Sequence, residues 1–260
     1  MKRWEPSGAV VILTGASSGI GFNLALLLAG RGATVFAVAR REARLDNLVE
    51  KGRDSAGRIV SFVGDITSEE TRKGVLDMAA DAGNGRLDLL VNNAGVGALG
   101  PFAEASSQRL RQIMDVNFLA PAELTRGAIP LLRRGNNAVL CNVCSVLGHR
   151  AVPDKSEYCA SKFAMHGWSD SLRGELIGDG IQVTLISPST TQSEFFDSVI
   201  ETQPAARSRS IGSWSAKRVA RAALAAIIAR RSEVILSLGG KALVYGDRLA
   251  PPLMNRLLRK

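Results

Sequence analysis

Histidine, cysteine and aromatic side chains are scarce in this chain, with two histidines, three cysteines and 5% aromatic residues among 260. An odd, small number of cysteines argues against a disulfide framework. Cys141 and Cys144 form a C-x-x-C. They sit in an extended run, where residues three apart face opposite sides, so neither a redox pair nor a metal pair is expected. His149 and His166 are too few for a metal site without carboxylate help, and no metal is expected. Long apolar runs are also missing: none reaches the roughly 18 residues of a membrane span. The first, residues 9–13, is too short for a signal peptide and runs into a glycine motif. A cytoplasmic protein is expected. Acidic residues are scarce only at one end. Residues 205–260 hold 12 basic and 2 acidic residues, whereas residues 1–204 hold 21 and 22. A basic end suits nucleic acid, an anionic membrane or an acidic partner. Few aromatics for base stacking and a neutral body argue against nucleic acid.

What is present is an alternation. Residues 9–13, Ala9-Val-Val-Ile-Leu13, form a continuous apolar run bounded by glycine, as a strand buried on both faces should. Further strands are expected over 33–39, 58–64, 87–91, 138–143, 181–186 and, shorter, 233–236. Helical periodicity falls between them, over 22–31, 68–82, 103–134 and 216–229, with another helix starting near Lys155. Pro121 and Pro130 predict a kink or break in the 103–134 stretch. Asp154 with Glu157 three residues on reads as a variant capping box for the helix at Lys155. Residues 189–214 look irregular. Strands alternating with helices imply one α/β domain, a mostly parallel sheet with helices on both faces. In such sheets ligands bind beyond the carboxyl ends of the strands.

The candidate residues fall at those ends. Thr14-Gly15-Ala-Ser17-Ser18-Gly19-Ile20-Gly21 joins the first strand to a helix. Glycines there allow a tight turn and close approach of a phosphate to the helix N-terminus. After the second strand, where an acidic residue would hold the ribose of NAD, stand Arg40 and Arg41. Arginine suits a 2′-phosphate, hence NADP(H) over NAD(H). Asp65-Ile66, Asn92-Asn93-Ala94-Gly95, Ser145 and Ser187-Pro188 close later strands. Tyr158 and Lys162 lie four apart on one helix face. An ammonium near a phenol favours the phenolate and should lower the tyrosine pKa from about 10.

In these motifs the sequence resembles the short-chain dehydrogenase/reductase family, in its compact NADP(H)-preferring branch, over roughly residues 8–190. The resemblance implies a single Rossmann-type, doubly wound domain with a mostly parallel seven-stranded sheet over residues 1–240, followed by a basic tail, 241–260. It implies an NADP(H)-dependent oxidoreductase that interconverts a carbonyl and an alcohol. Asn117, Ser145, Tyr158 and Lys162 match the family's catalytic tetrad. Tyr158 would donate the proton, Ser145 would hydrogen-bond the same oxygen, Lys162 would lower the tyrosine pKa and hold the ribose, and Asn117 would position a water. Gly15, Ser17, Ser18, Gly19, Ile20, Gly21, Arg40, Arg41, Asp65, Ile66, Asn92, Ala94 and Gly95 match cofactor-contacting positions. Thr191 and Ser193 align with residues that hold the carboxamide. Where the family usually has Pro-Gly, this chain has Pro188-Ser189, and serine disfavours positive φ. The loop is therefore expected to sit differently. The family's usual dimer surface, around Asn117 and Tyr158, implies a homodimer or homotetramer.

Leu147, His149, Val152, Phe195, Phe196, Val199 and Ile200 supply a mostly apolar lining, which suits an apolar small-molecule substrate. His149 reads as a surface loop histidine. Pro251-Pro252 splits the tail into two short amphipathic pieces, suited to subunit packing or to an anionic membrane surface. A non-catalytic NADP(H)-sensing or scaffold protein on the same fold is the alternative, since fold does not dictate function. The intact Ser145 and Tyr158 argue against it.

Overall fold

The computed structural model describes residues 3–192, 199–200 and 213–257. Seven strands, β1 (Val10–Thr14), β2 (Thr34–Ala39), β3 (Arg58–Val63), β4 (Leu89–Asn92), β5 (Val139–Val143), β6 (Gln182–Ser187) and β7 (Glu233–Ile235), form one sheet. Their order across it is β7-β6-β5-β4-β1-β2-β3, and every pairing is parallel. The α/β fold with a seven-stranded parallel sheet is thus as the sequence predicts.

The helices α1 (Gly19–Ala29), α2 (Glu42–Lys51), α3 (Glu69–Ala82), α4 (Ser107–Met114), α5 (Ala120–Leu132), α6 (Ser156–Glu175) and α7 (Ala216–Ile228) connect and cover it. Successive side chains of a strand point to opposite faces, and β1 shows the result. Val11 and Leu13 join a core with Leu24, Leu28, Leu45 and Val219, from α1, α2 and α7. Val10 and Ile12 join a second core with Val75, Leu124 and Leu172, from α3, α5 and α6. Both faces are buried, which is why the strand reads as an unbroken apolar run.

The 103–134 stretch is interrupted where proline demands it. Pro121 has no N–H to return to the Asn117 carbonyl, so the ladder shifts. Ala120 N–H reaches the Asp115 carbonyl instead, and Asp115–Leu119 forms a π-helical turn carrying Asn117. Pro130 is carried inside α5 without ending it.

The capping box at 154–157 does not form. Asp154 takes φ +62°, its carbonyl accepts from Gly100 N–H at 2.9 Å, and Lys155 stands at the N-cap without a side-chain cap bond. Glu157 is drawn inward by Arg109, whose Nε lies 2.9 Å from Glu157 Oε1.

The tail forms two helices, α8 (Leu238–Leu249) and α9 (Pro251–Leu257). They break at Pro251-Pro252 as expected. Among the described residues, no helix is long and apolar enough to cross a membrane.

Candidate active site

A cavity of about 870 Å³ runs along the carboxyl ends of the strands. Gly15 after β1, Arg40 after β2, Asp65 after β3, Ala94 after β4, Ser145 after β5 and Pro188 after β6 all line it.

One end is built by the glycine turn. Gly15 and Gly19 adopt φ +68° and +59°, a region other residues enter at a cost. Thr14 locks the turn to the β4 loop: its Oγ1 accepts from the Asn93 and Ala94 amides, each at 3.0 Å. Asn93 Nδ2 returns a bond to Thr14 O at 2.9 Å. Gly21 does not line the cavity; a Cβ there would collide with the Gly15 carbonyl and Asn93 Nδ2. Its role is to let α1 sit tightly under the turn. The first turn of α1 holds no acidic residue, and Ser18 caps it without a side-chain bond. Its N–H groups and helix dipole face the cavity mouth with no carboxylate competing. Ser17, Ser18 and Ile20 line the wall beside them.

Two arginines frame this mouth. Arg41 donates to Ser17 Oγ from Nη2 at 3.0 Å, and Arg40 lies 3.8 Å from Asp65 Oδ2. Burial opposes ionisation of Asp65, but bonds from the Thr67 amide and hydroxyl, with Arg40 beside it, hold the carboxyl below its usual range. Asp65 and Ile66 both line the cavity.

The other end carries the hydroxyls. Ser145 follows β5 and accepts from Leu147 N–H at 3.1 Å. Tyr158 and Lys162 project from α6, with the ammonium 5.8 Å from the tyrosine ring centroid. Lys162 Nζ donates to the Val143 carbonyl at 3.0 Å, and burial holds its pKa below the usual lysine value. The expected lowering of the Tyr158 pKa is not what this arrangement yields. Burial pushes the phenol well above its ordinary value; the hydrogen bond with Ser145 acts the other way but is outweighed.

Asn92 and Asn117 are not among the cavity-lining residues. Asn92 Nδ2 joins Thr125 Oγ1 at 3.0 Å and Asn142 Oδ1 at 2.9 Å inside the core. Asn117 accepts from Val96 N–H at 2.8 Å and donates to Val96 O and Ser161 Oγ, each at 3.0 Å. It thereby pins the cavity-lining strip after β4 to α6. Gly95 lines the cavity next to it, and a Cβ there would come 3.2 Å from Asn117 Oδ1.

Thr191 lines the cavity too, while Ser193, Phe195 and Phe196 lie outside the described residues. Ser189 is not among the residues with positive φ, so serine fits without strain where glycine was expected. Its hydroxyl lies 2.8 Å from Ser237 Oγ, tying this loop to the N-cap of α8.

Leu147 and Val152 line the cavity as expected, and His149 is not among the lining residues. Nor is His149 a surface histidine: its side chain is 1% exposed. Three lining residues were not assigned to the cavity from sequence. Lys155, at the start of α6, lines the cavity, as do Leu243 and Met254 from α8 and α9. Arg150 holds those helices in place, bonding Asp247 at 2.8 Å and Asn255 at 2.6 Å. The signal available in sequence was the apolar face of the tail. Cys141 and Cys144 are buried thiols packed in different cores. Burial pushes them up to about 12 and about 11, which leaves them unreactive.

The residues at the mouth fit a nicotinamide dinucleotide: a glycine turn with positive φ at Gly15 and Gly19, a helix start clear of acid, and two guanidinium groups. Comparison with known proteins agrees. A plant protein, 11-beta-hydroxysteroid dehydrogenase of Pinus massoniana, is 40% identical over 192 residues, covering 73% of this chain and 53% of that protein. A short chain dehydrogenase/reductase from Burkholderia phymatum, solved in complex with NAD, superposes with a TM-score of 0.84 at 25% identity, covering 100% of this chain and 98% of that one. One from Burkholderia cenocepacia, solved in complex with NADP, gives 0.82 at 27% identity, covering 98% and 100%. The family model for short chain dehydrogenases matches residues 9–204, and the chain belongs to that family of oxidoreductases.

Proposed function

We propose that this protein is an NADP(H)-preferring oxidoreductase that interconverts a carbonyl and an alcohol on an apolar small molecule. One observation carries the reading: an anion-ready helix start with two arginines and a Ser145–Tyr158–Lys162 group open into the same cavity. A nicotinamide cofactor bound there supplies or accepts the hydride. Tyr158 gives its proton to the carbonyl oxygen as negative charge grows on it. Ser145 hydrogen-bonds the same oxygen and stabilises that charge. Lys162 holds the tyrosine's end of the site and offers N–H donors toward the cofactor. Asn117 keeps the floor of the cavity fixed through Val96 and Ser161.

Leu147, Val152, Leu243 and Met254 support an apolar substrate, because they line the same cavity as Ser145 and Tyr158. The resemblance to a hydroxysteroid dehydrogenase points the same way. We assign α8 and α9 to this wall, so the proposed tail at 241–260 serves the substrate end of the domain.

The first test is a thermal-shift titration. NADPH is expected to stabilise the protein at concentrations at least about tenfold below NADH, since a charge-assisted bond contributes about 1.5–3 kcal/mol. An Arg41→Ala variant should lose that preference and keep its response to NADH. Equal response of the wild type to both cofactors would remove the arginine argument.

A pH profile tests the tyrosine. A phenol held above its ordinary value of about 10 keeps its proton throughout the neutral range, so Tyr158 stays a competent acid. Reduction of an apolar ketone should therefore show no loss of kcat/KM with a midpoint between pH 7 and about 9. A descending limb there that vanishes in Tyr158→Phe would contradict the burial argument.

A further inference from the structure

Behind the cavity, three elements bring together two imidazoles and a carboxylate. His149 comes from the turn after Ser145, His166 from α6 one turn beyond Lys162, and Glu233 from the edge strand β7. One ligand atom from each lies within 4.8 Å of the others. Glu233 Oε1 is 3.4 Å from His149 Nε2 and 3.7 Å from His166 Nε2. Asp170 Oδ2 lies 3.5 Å from His166 Nε2, at the exposed edge of this group. Bonds of 2.0–2.2 Å to a tetrahedral ion set ligand atoms roughly 3.3–3.6 Å apart. The observed separations are close to that spacing.

Hydrogen bonding gives the second reason. His166 Nδ1 lies 3.0 Å from the Gly148 carbonyl, which can only accept. The proton of a neutral ring is therefore on Nδ1, and the Nε2 lone pair faces Glu233 and Asp170. A lone pair aimed at two carboxylates is repulsive unless the ring takes a second proton or a cation lies between them. Glu233 Oε1 is itself buried and has no hydrogen-bond donor among the described residues. Orphaned buried oxygens of this kind are uncommon and costly. A backbone carbonyl that fixes the second nitrogen of a histidine is also the usual outer support of a metal-bound imidazole.

We propose that His149, His166 and Glu233, with Asp170 at the rim, form a binding site for a divalent transition-metal ion of the zinc class. Two imidazole nitrogens with carboxylate oxygens suit that class better than calcium or magnesium, which take oxygen ligands. The ring centroids of His149 and His166 are 4.2 Å apart, so the two imidazoles pack against each other. Ser187 Oγ, 2.8 Å from His149 Nε2, is free to rotate when that lone pair is taken. Arg173 bonds the other oxygen of Asp170 at 2.7 Å and moderates its charge without occupying the site. The approach is from outside, where His166 and Glu233 are 17% and 31% exposed. None of the three ligands is among the residues lining the cavity, so the site is separate from the one where substrate is turned over. The ion would cross-link the Ser145 turn, the Tyr158 helix and the edge strand from behind, and so brace the catalytic groups.

The test uses the full chain without an affinity tag, stripped with EDTA, incubated with zinc chloride and desalted. Metal analysis is expected to find one zinc per chain, with a melting temperature above that of the stripped protein. Cobalt in place of zinc should give the visible absorption of a tetrahedral nitrogen–oxygen site. His166→Gln and Glu233→Gln should each weaken zinc affinity by about tenfold or more, with circular dichroism and the NADPH thermal shift kept. Wild type that retains no zinc after desalting overturns the proposal, whatever the variants do. So does zinc that both variants retain undiminished, because the ion would then sit elsewhere.

Discussion

Tyr158→Phe is expected to lose about 10²- to 10⁴-fold in turnover, the usual contribution of a positioned acid or base. The substitution removes one hydroxyl and keeps the ring. The ring packs beside Lys162, so the fold and the glycine turn at the far end of the cavity should be unaffected. The discriminating measurement is kcat for an apolar ketone with NADPH, alongside the NADPH thermal shift. Lost turnover with an unchanged shift assigns the hydroxyl to chemistry. Full turnover would sink the mechanism and raise the cofactor-sensing alternative above the enzyme. The size of the effect follows from geometry: Ser145 and Lys162 share the cavity end, but Lys162 is held by the Val143 carbonyl and Ser145 accepts from Leu147. Neither is placed to take over the proton.

The second large effect is on stability. Arg109 and Glu157 form an ion pair whose side chains are 2% and 1% exposed. Arg109 Nη2 reaches Glu157 Oε1 at 2.6 Å, and Ser156 Oγ donates to Oε2 at 2.9 Å. Removing one member leaves the other charge buried, which costs about 3–5 kcal/mol. Arg109→Met should therefore lower the unfolding free energy by about that much in urea titration. The double variant Arg109→Met/Glu157→Leu should recover most of the loss, because an apolar pair of similar volume needs no desolvation. A single-variant loss under about 1 kcal/mol would show the pair to be solvated. Burial alone would raise the Glu157 carboxyl, but its own amide, Arg109 and Ser156 outweigh that and hold it below the usual range. A depressed carboxyl stabilises the fold fully above its unfolded value of about 4.3. That contribution is lost as the pH falls through the folded value. Because Glu157 precedes Tyr158, the pair also sets where α6 begins and how the tyrosine enters the cavity.

Sequence alone determined the seven strands and most of the helices between them, though not α2, together with the parallel sheet, the glycine turn and the placing of Arg40, Asp65, Ser145, Tyr158 and Lys162 at one edge. These features are local. Apolar runs of five or six residues, glycines at tight turns and a four-residue helical step are read from near neighbours, and a parallel sheet carries its strand ends to the same side. Tertiary structure decided the rest, because the partners lie far apart along the chain. Arg109 reaches Glu157 across 48 residues and so dissolves the capping box. Arg150 reaches Asp247 across 97 and brings a basic tail to the cavity wall. Burial turned the tyrosine's acidity in the direction opposite to the one its helical spacing with Lys162 suggested. The same packing brought two scattered histidines onto the Glu233 carboxylate, a juxtaposition that the histidine count by itself did not reveal.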